Sequence, residues 1–125
     1  MKSPDLVGRT ILVVEDEALI ALELQDELSA AGATVLLATM RTGARMVKQH
    51  GLSAAILDLR PGCNDHRLIA RALKKRGVPF LFHSTHPPED VTTVRGAPVM
   101  LKPKNPGDTV KALALLMRQG QPEAR

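Results

Sequence analysis

Tryptophan and tyrosine are absent from this 125-residue chain, and phenylalanine occurs only at Phe80 and Phe82. Both rings lie inside one apolar run, so nothing is left over to sandwich a flavin or to stack on unpaired bases. Cysteine is nearly absent: Cys63 stands alone, no disulfide can close within the chain, and a reducing compartment fits. No apolar stretch approaches the roughly 18 residues of a membrane span, and Met1-Lys2-Ser3-Pro4-Asp5 begins no signal peptide. A cytoplasmic protein with no membrane partner is expected. Repeats and low-complexity tracts are missing too, so the length implies one domain, residues 1–125, with a core over about 9–117.

Net charge is +4, but the basic residues, from Arg41 and Arg45 to Lys111 and Arg118, are scattered along the sequence. Nucleic-acid binding needs them on one stripe, ideally interleaved with aromatics. Nucleic acid is therefore not expected as a partner, and solvated helix faces account for the charge. The densest cluster, Lys74-Lys75-Arg76, precedes Gly77, where cations favour a helix C-terminus.

What the chain does have is a set of short apolar runs that each stop at a residue able to handle phosphate or a metal ion. Ile11-Leu-Val-Val ends at Glu15-Asp16, Ala54-Ala-Ile-Leu at Asp58, Phe80-Leu-Phe at His83-Ser84, and Val99-Met-Leu at Lys102. Continuous apolar runs of this length mark strands buried on both faces of a parallel sheet. In open parallel sheets ligands bind beyond the carboxyl ends of the strands, so acid, hydroxyl and lysine converge on one edge.

Helical segments separate the runs. Glu17 to Ala31 carries Leu19, Ile20, Leu22, Leu24 and Leu28 as a wide apolar face and stops at Gly32; Thr42 to His50 stops at Gly51; His66 to Arg76 starts from an Asn64 or Asp65 cap and stops at Gly77. Strands fall at Thr10–Val14, Thr34–Ala38, Ala54–Leu57, from Phe80, and at Pro98–Leu101. The segment from His86 to Gly96, with two prolines and several β-branched residues, leaves room for a loop or a single turn of helix. A last helix from Pro106 or Gly107 to Met117 aligns Val110, Leu113, Leu116 and Met117, and the tail to Arg125 reads as disordered. The alternation predicts a doubly wound α/β domain with helices on both faces of a five-stranded parallel sheet.

Each candidate residue has a plain structural reading beside its chemical one. Glu15 and Asp16 are adjacent carboxylates that a hard cation such as Mg²⁺ would compensate, or acids favoured at a helix start; for Glu17 the second account is preferred. Asp58 ends the most apolar run, where an unpaired carboxylate is costly, and a carboxylate with its charge neutralised can attack a phosphoryl group. Its alternative role as a turn former is weakened by Pro61-Gly62, which already supplies the turn. Ser84 and Thr85 offer hydroxyls, though a hydroxyl at a strand end is often a turn feature. Lys102 starts from a strand end, so its ammonium has reason to reach acids on that edge, or else extends to solvent. Cys63, His66, His83 and His86 could suggest a transition-metal site, but His83 and His86 have opposite parity on an extended strand, and ordinary loop residues are the better account.

In order and spacing, Ile-Leu-Val-Val-Glu15-Asp16-Glu17, Ile-Leu-Asp58-Leu and Leu-Lys102-Pro103 resemble the receiver domain of two-component response regulators, from about Arg9 to Met117. The resemblance implies a flavodoxin-like sheet of strand order 2-1-3-4-5. It implies Asp58 as phosphoacceptor from a histidine kinase or phosphotransfer protein. Glu15, Asp16, Asp58 and the backbone carbonyl of Arg60 would hold Mg²⁺, Ser84 would move towards the phosphoryl group, Lys102 would pair with it, and Pro103 would follow a cis peptide. Three positions depart from the common pattern: Val99 stands where an aromatic switch is usual, Thr85 where a small residue follows the hydroxyl, and the His86–Gly96 segment replaces a full fourth helix. The Pro79 to Thr85 segment instead resembles an atypical subgroup with a Phe-Ala-Thr-Gly motif and a fourth helix that is short or absent, from which His83 and Thr85 also differ.

The expected function is thus a stand-alone phosphorylatable receiver, an acceptor rather than a turnover enzyme. Too few residues follow the last helix for an output domain, so signalling would be by contact with a downstream protein. Two alternatives are a pseudo-receiver adaptor that is not phosphorylated and, on weaker grounds, a small phosphate-handling enzyme on the same architecture. Against the enzyme, a phosphatase with an aspartate nucleophile wants a second acid two residues on, where Arg60 stands.

Overall fold

The computed structural model describes residues 5–58, 66–84, 99–101 and 107–119. In chain order the elements are β1 (Thr10–Val14), α1 (Ala18–Ala30), β2 (Thr34–Ala38), α2 (Gly43–Gln49), β3 (Ala54–Asp58), α3 (His66–Lys75), β4 (Phe80–Ser84), β5 (Val99–Leu101) and α4 (Asp108–Gln119). The strands form one sheet in the order β2-β1-β3-β4-β5, with every neighbouring pair parallel. This is the doubly wound α/β arrangement expected from the alternation. The segment between β4 and β5, residues 85–98, lies outside the described residues, as does the tail from residue 120; the fourth helix of the described chain is the one after β5.

Burial along the strands explains the apolar runs. All of β3 and four of the five residues of β1 are buried, because both strands have helices above and below them. Only Ala38 of β2 is buried, as suits a strand at the sheet edge. Strand alternation sends successive side chains to opposite faces, giving two cores. Ile11, Val13, Ala54, Ile56 and Leu81 pack with α1 and α4, whereas Leu12, Val14, Leu57, Phe80 and Phe82 pack with α2 and α3.

Two glycines end helices by the same device. Gly32 (φ +99°) donates to the Ser29 carbonyl while Ala33 donates to that of Leu28; Gly77 (φ +70°) and Val78 repeat the pattern on Lys74 and Leu73. These are Schellman closures, which need a left-handed residue that glycine supplies without a Cβ penalty.

Two expectations change. α1 buries Ala21, Leu24 and Leu28, while Leu19 and Leu22 are 65% and 50% exposed, so its apolar face is narrower than the leucine count suggested. The sheet meets only the stripe that recurs every three to four residues, and Leu19 and Leu22 lie off it. The basic residues, scattered in sequence, are partly gathered in space: α2 and α3 pack side by side on one face of the sheet and carry six of the eleven Lys and Arg among the described residues.

Candidate functional site

The carboxyl ends of the strands bring the sequence candidates together. Val14 pairs with Leu57 across β1 and β3, which places Glu15 beside Asp58, and Asp58 itself pairs with His83 on β4. Val13, Ile56 and Leu81, two residues back on each strand, all belong to the α1–α4 core. By alternation Glu15, Asp58 and His83 project to that same side, as a row across three adjacent strands. All three are buried, at 5%, 3% and 2% exposure. Two carboxylates withdrawn from water on neighbouring strands repel one another, and a cation relieves that cost.

Asp16 is placed differently. It is exposed, and its Oδ1 accepts the Met40 N–H at 2.8 Å, tying the end of β1 to the turn after β2. That turn is closed locally: Thr42 Oγ1 accepts from Thr39 N at 3.0 Å, and the Thr39 carbonyl accepts from Gly43 N at 2.9 Å. Glu15 Oε2 in turn accepts from Glu17 N at 3.2 Å, and the Glu15 N–H continues the ladder to Ala38 at 3.0 Å. Glu17 occupies the N-cap position of α1 but makes no side-chain cap bond.

Hard oxygen donors on two buried carboxylates and one exposed one are the donor chemistry that Mg²⁺ takes. Their disposition is more open than a closed cage: among the described residues no three His, Cys, Asp or Glu side chains are drawn together closely enough to hold a metal ion. Within that arrangement one Asp16 oxygen reaches the β2 turn and one Glu15 oxygen accepts from the Glu17 N–H. Ser84 ends β4 and pairs with Leu101 of β5, so Lys102 follows the residue next to the hydroxyl position. Lys102, Arg60, Pro103, Thr85, Cys63 and His86 fall outside the described residues.

His66 and His83 are not loop residues. His83 is internal to β4, and His66 opens α3, buried at 1% exposure with its ring edge-on to Phe82 at 5.2 Å between centroids. Phe82 meets Phe80 in the same T-shaped manner at 5.8 Å, so the aromatic side chains of this chain brace β4 against α3. The place of His83 next to Asp58 escaped sequence reasoning, although the parity of a strand running on to Ser84 carried the signal.

No family model and no curated protein matches the sequence. Solved structures do match its fold. The BeF₃-activated conformation of SdrG from Pseudomonas melonis Fr1 is 34% identical, with 94% of this chain and 99% of that one covered at a TM-score of 0.71. A CheY-like response regulator receiver domain protein from Methanospirillum hungatei JF-1 is 21% identical, covering 89% of this chain and 94% of that one at a TM-score of 0.73. The receiver domain of the sensor histidine kinase PA1611 from Pseudomonas aeruginosa PAO1, with a magnesium ion coordinated in its active-site cleft, is 18% identical over 90% of this chain and 99% of that one, with a TM-score of 0.72.

Proposed function

Since this chain belongs to the response regulator receiver domains, we propose that it accepts a phosphoryl group on Asp58 and signals by protein contact in the cytoplasm. The observation that carries the reading is the burial of Asp58 beside Glu15 at the carboxyl edge of the sheet, where a cation would offset the repulsion of two withdrawn carboxylates. Glu15, Asp16, Asp58 and the backbone carbonyl of Arg60 would hold Mg²⁺, which supplies the positive charge that lets one anion approach another.

The transfer itself is an in-line displacement. A carboxylate oxygen of Asp58 forms the new bond to phosphorus as the bond from phosphorus to the donor's imidazole nitrogen breaks, and that nitrogen keeps the electron pair. Lys102 pairs with the transferred group and Ser84 donates a hydrogen bond to it. The donor is a histidine kinase or a phosphotransfer protein. Leu19 and Leu22, exposed on the first turns of α1 next to Glu15 and Asp16, offer apolar ground on which such a donor can rest.

A second reading draws on one specific observation. Asp16 Oδ1 accepts the Met40 N–H, a tie between β1 and the β2 turn equally suited to a pseudo-receiver that uses the fold only for contacts. Incubation with Mg²⁺ and acetyl phosphate separates the two: one phosphoryl group should appear by intact mass, and Asp58→Asn should abolish it. A folded sample that takes up no phosphoryl group, or one modified equally well as Asp58→Asn, overturns the receiver reading.

A further inference from the structure

The charge of this protein is segregated by helix: α1 carries acids and no bases, whereas α2 and α3 carry bases and no acids. No Lys or Arg occurs between Arg9 and Arg41, the span that contains β1, α1 and β2 and holds Glu15, Asp16, Glu17, Glu23, Asp26 and Glu27. Conversely, no Asp or Glu occurs between Glu27 and Asp58, nor from His66 through Pro88, the spans that hold α2 and α3. The strand order then puts α2 and α3 next to each other on one face of the sheet, with Gly43 against Ile69 and the Arg76 guanidinium donating to the Lys48 carbonyl at 2.9 Å. Arg41, Arg45 and Lys48 on the one side and Arg67, Arg71 and Lys75 on the other are all exposed, and neither helix carries an acid to compensate them.

Such a surface is costly in isolation. Arg67 and Arg71 stand one turn apart on α3, where like charges so spaced destabilise by roughly 0.2–0.5 kcal/mol per pair. In their midst Leu68 is 66% exposed, the most exposed large hydrophobic residue described. Arginine around an exposed apolar side chain is the composition of a protein-binding surface, where apolar contact provides the anchor and charge provides steering.

We propose that the outer face of α2 and α3 is a docking surface for a separate acidic protein partner, engaged through a helix whose carboxylates meet Arg41, Arg45, Arg67 and Arg71 and whose apolar residue covers Leu68. Nucleic acid fits less well. The two phenylalanines are buried, so no phenyl ring is offered for stacking, and a phosphate backbone leaves Leu68 without a role. A lipid surface also fits less well, because both helices turn their apolar sides to the sheet and keep nothing but Leu68 to insert. A second copy of the chain cannot close on this face symmetrically, since a two-fold contact sets cation against cation, and pairing it with the acidic α1 of another copy gives an open, head-to-tail assembly. The surface is independent of phosphorylation on Asp58, so its failure and that of the receiver reading are distinguishable.

The test is a titration of the full chain, followed by amide NMR, with a short synthetic helical peptide of glutamates flanking two leucines one turn apart. Binding should perturb amides of α2 and α3, weaken as salt is raised, and survive Asp58→Asn. Arg71→Glu and Arg45→Glu should each weaken it about tenfold, and Leu68→Ser several-fold, with the free proteins keeping the wild-type amide pattern elsewhere. An all-glutamate peptide should bind more weakly than the leucine-bearing one. The proposal is overturned if the peptide fails to bind or binds Arg71→Glu unchanged, if duplex DNA or phosphatidylserine vesicles bind as tightly at the same salt, or if the face instead drives concentration-dependent self-association that Arg71→Glu abolishes.

Discussion

Asp58 and His83 are register partners on adjacent parallel strands, both almost withdrawn from solvent and both directed to the α1–α4 side of the sheet. Under the proposed function, a phosphoryl group on Asp58 would have the His83 strand on one flank and the Glu15 strand on the other. The His83 ring fills core volume at the edge of the site as well as bordering it. His83→Ala should lose about 2–4 kcal/mol of stability, in the range of other large-to-small changes in packed interiors. His83→Leu, which keeps the volume, should lose less, and the gap between the two in urea unfolding measures packing against the polar contribution of the ring.

Asp16 separates metal affinity from turn stability. Asp16→Asn keeps an oxygen for the Met40 N–H but removes the charge, so Mg²⁺ affinity should fall while stability without metal changes little. Asp16→Ala also leaves Met40 N without this acceptor and should cost about 1 kcal/mol more. With no Trp or Tyr to report by fluorescence, the readout is the Mg²⁺-dependent shift in thermal unfolding by circular dichroism, which grows with the logarithm of metal concentration over the dissociation constant. Equal Mg²⁺ shifts in Asp16→Asn and wild type would remove Asp16 from the ligand set.

α2 approaches α3 at a glycine. A Cβ built at Gly43 would lie 2.6 Å from Ile69 Cδ1 and 3.3 Å from Val14 Cγ2, so Gly43→Ala should destabilise by about 1–3 kcal/mol through overpacking. Ile69→Val removes the nearest atom. Combined with Gly43→Ala it should be less harmful than the sum of the single changes, a coupling that a double-mutant cycle in urea detects.

Glu27 of α1 reaches the start of α4, where its Oε1 accepts from the Gly107 N–H at 2.6 Å. A carboxylate at a helix N-terminus satisfies an orphan donor and opposes the helix dipole. Glu27→Ala should lose about 1 kcal/mol, within the range of cap deletions. Glu27→Gln should lose less, and the difference between wild type and Gln should shrink as salt is raised; a loss that is indifferent to salt would leave only the hydrogen bond.

Much of the fold was readable in sequence because the physical signals were local. A strand buried on both faces has no polar position until it leaves the core, so Val14-Glu15 and Leu57-Asp58 marked both the strand ends and the site. Gly32 and Gly77 announced helix stops because a Schellman closure requires positive φ. The leucines of α1 were less informative, since composition does not reveal which stripe of a helix meets the sheet. Leu19 and Leu22 proved to be surface, and Asp16, grouped in sequence with Glu15, turned instead to a backbone donor on another loop.

The sequence alone determined the alternation of elements, the parallel character of the sheet and the acids at its carboxyl edge, because each follows from hydrophobic periodicity and chain stops within a few residues. Only the tertiary structure decided that His83 flanks Asp58, that Asp16 holds the β2 turn, and that cations spread over two helices form a single surface. Those relationships depend on strand order, register and the face to which each crossover helix is sent. They join residues dozens of positions apart that carry no mark of one another in the chain.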